Sequence, residues 1–338
     1  MGVKNFFKAV FRGLTKNKVR NIYIEAKFIL FFTLFTFLLN SLHAQSSAWQ
    51  PAPGYQQVPI WPDKPTGSRR DVANETVVKT GSKELIAGRP YTYVNDVSKP
   101  TLTLYPAKGQ NSRAAILIFP GGGYQILAID LEGTEICDWF TSRGITCILV
   151  KYRVPGENKL PKSGPYPSFP QAFEDAQRAI GIVRMNAAKW HIDEHKIGVI
   201  GFSAGGHLAA ATSVHFKKRV YPIVDQADRQ SCRPDFAIAI YPGHLWAGGP
   251  CCYLTPDIRD NITAQTPPTF LLQNEDDNVD GVEQALSYYI GLKKAGVPVE
   301  MHLYAQGGHA FGLRKTKLPA TAWPELVETW LKTIHIIK

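Results

Sequence analysis

Cysteine is scarce, with five in 338 residues, and their spacing matches neither a metal site nor a disulfide framework. Cys137 and Cys147 fall in apolar-periodic stretches and read as small core residues. Cys232, Cys251 and Cys252 lie in loop-like sequence, where Cys232 could pair with either of the other two. A membrane-length apolar run is missing as well. Phe28 to Leu39 is the long apolar stretch, and its twelve residues fall short of the roughly 20 that a bilayer span needs. Concentrated charge is confined to one place: seven basic residues against Glu25 put six of the ten net positive charges before Phe28. The remainder has no basic run, which speaks against a nucleic-acid partner.

A basic leader, a short apolar core and a small residue at Ala44 form the pattern of a secretory signal. The expectation is a leader over 1–44, cleaved near Ala44, and a secreted or periplasmic protein with no stable membrane span. An uncleaved anchor is the second reading. The sequons at Asn74 and Asn261 read as chance occurrences.

Beyond the leader, residues 45–100 are expected to lie extended over a domain formed by 101–338. Prolines in Val58-Pro59-Ile60-Trp61-Pro62 rule out a helix or a central strand there. Thr101 to Tyr105 alternates with period two, as a half-exposed strand does. The fully apolar run Ala114 to Phe119 and the mainly apolar runs at Ile145 to Tyr152, Ile197 to Phe202, Phe236 to Tyr241 and Thr269 to Asn274 read as strands of the sheet interior. Val299 to Tyr304 is the last strand. Helical spacing separates them, at 130–143, around Phe173 to Val183, from Val282 to Gly296 and from Pro324 onward. This alternation predicts one α/β domain, a doubly wound and mainly parallel sheet flanked by helices. Function is then expected beyond the carboxyl ends of the strands.

The strangest residues stand at those ends. Gly201-Phe202-Ser203-Ala204-Gly205 reads as a strand, an abrupt turn and a helix, a G-x-S-x-G pattern that exposes a serine hydroxyl at a strained turn. A serine needs a base within hydrogen-bond reach, and the base needs an orienting acid. His309, in G-G-H-A-F-G, is the candidate base. Asp276 and Asp277, in E-D-D-N-V, are the candidate acids, with Asp277 favoured and the other left as a turn or capping group. His207, one helical turn beyond Ser203, reads as a packing residue or a brace for the Gly-rich loop. The remaining histidines, His244 among them, read as structural or exposed. Pro120-Gly121-Gly122-Gly123-Tyr124 lacks the G-x-G-x-x-G spacing and has no Walker lysine, so a nucleotide cofactor is not indicated. An oxyanion loop fits it better. Glu132, just behind, reads as a solvated carboxylate at a helix entry.

Taken together, P-G-G-G-Y, G-F-S-A-G-G-H, E-D-D-N-V and G-G-H-A-F-G resemble the secreted α/β-hydrolase esterases of the acetyl esterase and acetylxylan esterase type. The resemblance runs from Val58 to the C-terminus. It implies Ser203 as nucleophile, His309 as base and then acid, Asp277 as orienting acid, and an oxyanion hole from the N–H groups of Gly122, Gly123 and Ala204. It implies no cofactor and no metal. Pro120 stands where lipase-like relatives carry His, as is usual in the xylan-esterase-like branch. Aromatic loop residues Tyr124 and Trp246 are candidate contacts for a sugar ring. An acetylated polysaccharide such as xylan is therefore the first expectation. A feruloyl or aryl ester is the second and a peptide the third, since peptidase relatives normally carry a propeller domain. A catalytically silent binding protein is the rival class.

Overall fold

The computed structural model describes residues 48–63, 74–157, 170–249 and 252–338. The expected leader and its cleavage site lie outside the described residues, as does Cys251. In chain order the strands are β1 (Gln57–Pro59), β2 (Thr76–Lys79), β3 (Thr92–Asn95), β4 (Thr101–Tyr105), β5 (Ala115–Phe119), β6 (Ile126–Leu127), β7 (Thr146–Lys151), β8 (Ile197–Phe202), β9 (Ala237–Ile240), β10 (Thr269–Asn274) and β11 (Val299–Tyr304). The helices are α1 (Glu135–Ser142), α2 (Pro170–Met185), α3 (Ala204–Val214), α4 (Pro256–Arg259), α5 (Glu283–Lys294) and α6 (Trp323–Thr333).

Every residue of β5, β7, β8, β9 and β10 is buried, as the mainly apolar runs of strands covered on both faces require. They belong to an eight-stranded sheet in the order β1-β4-β7-β5-β8-β9-β10-β11. From β7 to β11 all neighbours run parallel, whereas β4 and β1 are antiparallel additions at one side. Parallel pairing has a direct consequence: the loops after β5, β8, β9, β10 and β11 all leave the sheet at the same edge.

The pairing of β1 fits its proline, because an edge position spares a ladder hydrogen bond. A second sheet, β2-β3-β6, was not foreseen. Its strands are short and mixed in exposure, and β6 supplies only Ile126 and Leu127, paired with Asn95 and Val94. No run of alternation that brief stands out in a sequence. The small sheet matters nonetheless, because β6 follows the Gly-rich loop directly and ties that loop to the N-terminal segment.

Two expectations about cysteine are corrected. Cys137 and Cys147 form a disulfide with Cα atoms 5.3 Å apart, because α1 folds back along β7 after the turn at Gly144. Cys232 is a free, buried thiol whose Sγ lies 3.4 Å from the carbonyl oxygen of Phe216. Among the described residues, no helix is long and apolar enough to cross a membrane.

Buried charges fasten the N-terminal segment to α2. Arg178, on α2, donates from Nε to the carbonyl of Ile60 at 2.6 Å and from its amino groups to Asp228 and Asp225 at 2.6 and 2.5 Å. Its guanidinium lies 5.0 Å from the ring of Trp61. Trp61 in turn donates to Asp175 at 2.6 Å. Replacing Arg178 takes from the Asp228 side chain, which is 0% exposed, its shortest ion pair, leaving Arg219 at 3.8 Å and the Tyr221 hydroxyl at 2.7 Å as partial compensation. Arg178→Ala is therefore expected to cost about 3–5 kcal/mol, read as a lowered urea midpoint. Lys108→Ala, which breaks an ion pair with side chains 54% and 71% exposed, should cost less than about 1 kcal/mol.

Candidate active site

Ser203 sits between β8 and α3 with φ 52° and ψ −120°, a conformation that costs a non-glycine residue about 1–3 kcal/mol. The glycines around it make the turn possible. A Cβ on Gly201 would strike the carbonyl of Gly205, and one on Gly205 would strike the carbonyl of Phe119 at the end of β5. The turn is thus pressed against the neighbouring parallel strand, with the serine hydroxyl left facing a cleft.

Loops from two further strands meet that hydroxyl. Ser203 Oγ lies 2.9 Å from His309 Nε2, and His309 Nδ1 lies 2.6 Å from Asp277 Oδ2. Asp277, 5% exposed, also accepts from Gln273 Nε2 at 3.0 Å and from the N–H groups of Val279 and Asp280 at 2.9 and 3.0 Å. A carboxylate supplied with three other donors is held as an acceptor, so the proton on Nδ1 belongs to the imidazole and Nε2 is left free to accept from serine. Asp276 does different work. Its Oδ1 accepts from the N–H groups of Gly307 and Gly308 at 2.9 and 2.7 Å, fixing the loop that carries His309.

Gly122 and Gly123 line the same cleft, a cavity of about 480 Å³. Gly122 has φ 133°, and a Cβ there would collide with the backbone of Ile126. Ala204 opens α3, where the first N–H groups have no partner within the helix and the helix dipole is positive. The cleft wall comes partly from the N-terminal segment, through Ile86 and Tyr91, and partly from Ile126, Leu131 and Val279.

Three readings of individual residues change. Tyr124 is fully buried and cannot meet a substrate. Its hydroxyl lies 2.9 Å from His207 Nδ1, so this pair braces the Gly-rich loop from beneath. Burial pushes His207 down to about 3, which keeps the brace neutral. Trp246 does not line the cleft: the chain doubles back in a bridge to Leu254, and its N–H donates to Gln284 at 2.8 Å. Glu132 is 2% exposed rather than solvated. The π turn at Asp130–Thr134 aims it inward, where it accepts from Gly121 N–H and from the Tyr241 hydroxyl, both at 2.8 Å. Burial raises its pKa.

Two more residues belong to the cleft: His244, expected from the sequence to be structural or exposed, and Asp280, which the sequence reading passes over. His244 follows β9 and lines the cleft, with burial and the charge of His309 lowering it to about 4. Asp280 lies 3.5 Å from Ser203 Oγ and 3.8 Å from His309 Nε2 through Oδ2. Burial raises its carboxyl to about 6. Its place three residues after Asp277, in the same turn, was the available signal.

For His309, burial opposes protonation, but the hydrogen bond and charge of Asp277, joined by Asp280 and Glu132, outweigh it and raise the pKa. The imidazole therefore holds its proton to higher pH than the ordinary value of about 6.5. An NMR titration of the His309 ring should show a midpoint above that value. Asp277→Asn removes the largest raising contribution, so its midpoint should fall; an unchanged midpoint would contradict this balance.

Comparison with known proteins places this geometry. The family model described as alpha/beta hydrolase fold matches residues 116–313. Acetylxylan esterase from Xylanibacter ruminicola is 28% identical over 240 residues, 65% of this chain and 45% of that protein. Endo-1,4-beta-xylanase B from Butyrivibrio fibrisolvens is 29% identical over 229 residues, 62% of this chain and 34% of that protein. The chain thus spans less than half the length of these two relatives. A crystal structure of an acetyl ester-xyloside bifunctional hydrolase from Caldicellulosiruptor lactoaceticus superposes with TM-score 0.62 at 29% identity, covering 84% of this chain and 97% of that one. With its family model spanning more than half of its residues and its parallel sheet ending in the serine turn, the chain belongs to the alpha/beta hydrolase fold family.

Proposed function

We propose that this protein is an exported serine carboxylesterase that removes short acyl groups, above all acetyl, from a plant-type polysaccharide such as xylan. The observation that carries the reading is the hydrogen-bonded row Ser203–His309–Asp277, with links of 2.9 and 2.6 Å. In the proposed reaction His309 Nε2 takes the serine proton as Oγ attacks the ester carbonyl. The oxyanion is met by the N–H groups of Gly122, Gly123 and Ala204, donors already in place before charge develops. His309 then protonates the leaving alcohol, and water, activated by the same ring, releases the acid from Ser203. Asp277 keeps the ring in the required tautomer throughout.

Substrate class is supported by the names of the relatives: an acetylxylan esterase, an endo-1,4-beta-xylanase and an acetyl ester-xyloside bifunctional hydrolase. The cleft agrees in character: it is open, moderately sized and mixed, with apolar Ile126 and Val279 beside polar Gln125 and Asp280. Export is supported by the leader and by the Cys137–Cys147 disulfide, a bond favoured in oxidising compartments.

Acetate and ferulate release should be measured side by side on acetylated xylan and feruloylated arabinoxylan, with p-nitrophenyl esters of increasing acyl length. Acetate is expected to dominate and rates to fall as the chain lengthens. Ser203→Ala should lower kcat about a millionfold. Ester hydrolysis that survives this change would overturn the assignment, and faster ferulate release would replace the substrate.

A further inference from the structure

Asp280 has no task in the relay just described, yet it stands against the reacting atoms. Its Oδ2 is 3.5 Å from Ser203 Oγ and 3.8 Å from His309 Nε2, and the residue is 6% exposed. Among the described residues its one ion-pair partner is His309. Its backbone is fixed by the same turn that fixes the orienting acid: the N–H donates to Asp277 Oδ1 at 3.0 Å, and the carbonyl accepts from Gln273 Nε2 at 2.7 Å. The carboxylate also packs flush against Gly243, where a Cβ would come within 2.5 Å of Oδ1. It is therefore held at the cleft and cannot retreat into the protein.

Burying a carboxylate without a lysine or arginine is costly, and the cost invites a donor from outside. The reaction geometry says which part of a substrate supplies it. To receive its proton, the leaving oxygen must come within hydrogen-bond reach of His309 Nε2. The carbonyl oxygen points elsewhere, toward Gly122, Gly123 and Ala204. A carboxylate beside Nε2 thus faces the alcohol half of the ester, not the acyl half. On a sugar ring the oxygen of the neighbouring carbon lies about one hydrogen-bond length from the ester oxygen.

The geometry points to Asp280 as the residue that selects the alcohol, accepting a hydrogen bond from a free hydroxyl on the carbon next to the acylated one. An ester whose alcohol lacks that hydroxyl leaves the carboxylate desolvated and without a donor from the substrate once it docks. Burial raises the Asp280 carboxyl to about 6, so at pH 7.5 or so it is chiefly ionised and an acceptor only. The proposal rests on the esterase reading above and deepens it.

The test pairs methyl 2-O-acetyl-β-xylopyranoside with its 3-deoxy counterpart, using initial rates at pH 7.5 and p-nitrophenyl acetate as a third ester. In the native protein kcat/KM should favour the hydroxyl-bearing sugar about 10- to 100-fold. In Asp280→Ala that ratio should collapse toward one. In the isosteric Asp280→Asn, which keeps one acceptor oxygen, it should fall only partly. Equal rates on the two sugars in the native protein, or an undiminished ratio in Asp280→Ala, overturn the proposal while leaving the esterase reading intact. A native protein that releases acetate from none of the three esters overturns both. The native comparison decides the matter even if neither variant folds.

Discussion

The hydrogen bond between Asp277 and His309 is 2.6 Å long and rests on a buried carboxylate, and the surrounding residues are arranged to keep it so. Three donors besides the imidazole hold Asp277. This makes the carboxylate affordable in the interior and fixes where it points. The imidazole then has one orientation and one tautomer available. Its second nitrogen faces the hydroxyl that the turn after β8 has pushed into the cleft. Burial alone would make that ring a weaker base; the neighbouring carboxylate reverses the sign.

Such an arrangement needs loops that are distant in sequence to hold still relative to one another. The parallel sheet does the coarse work, delivering the ends of β5, β8, β9, β10 and β11 to one edge. Glu132 does much of the fine work. It accepts from Gly121 in the Gly-rich loop and from Tyr241 after β9, and the Tyr241 hydroxyl in turn accepts from Gly312 N–H in the histidine loop at 3.2 Å. Three loops are joined through two side chains. Beneath the Gly-rich loop, Tyr124 and His207 form a second, neutral brace. Rigid donors are what oxyanion stabilisation calls for, because they pay no reorganisation when charge appears.

The parts legible in the sequence were those with local causes. The buried strands showed as mainly apolar runs, and Ser203 showed through glycines that its turn requires. His309 and Asp277 stood at strand ends, where a parallel sheet collects its chemistry. The parts that were hidden have causes that are not local. Glu132 looked solvated because nothing near it in sequence reveals Tyr241, 109 residues away. Cys137 and Cys147 looked like packing residues because the chain reversal that joins them is a tertiary event. Tyr124 and Trp246 suggested sugar contacts from type alone, and the fold turned one inward and the other aside. Asp280 was overshadowed by the two acids just before it.

The central claim is that Ser203 is a nucleophile only because His309 withdraws its proton. Intact and peptide mass measurement after reaction with a fluorophosphonate ester, for the native chain and for His309→Ala, tests it most directly. The account predicts one adduct, on the peptide that carries Ser203, formed far more slowly once the imidazole is gone. An adduct on another residue, no adduct at all, or labelling of Ser203 at an unchanged rate without His309 would contradict it.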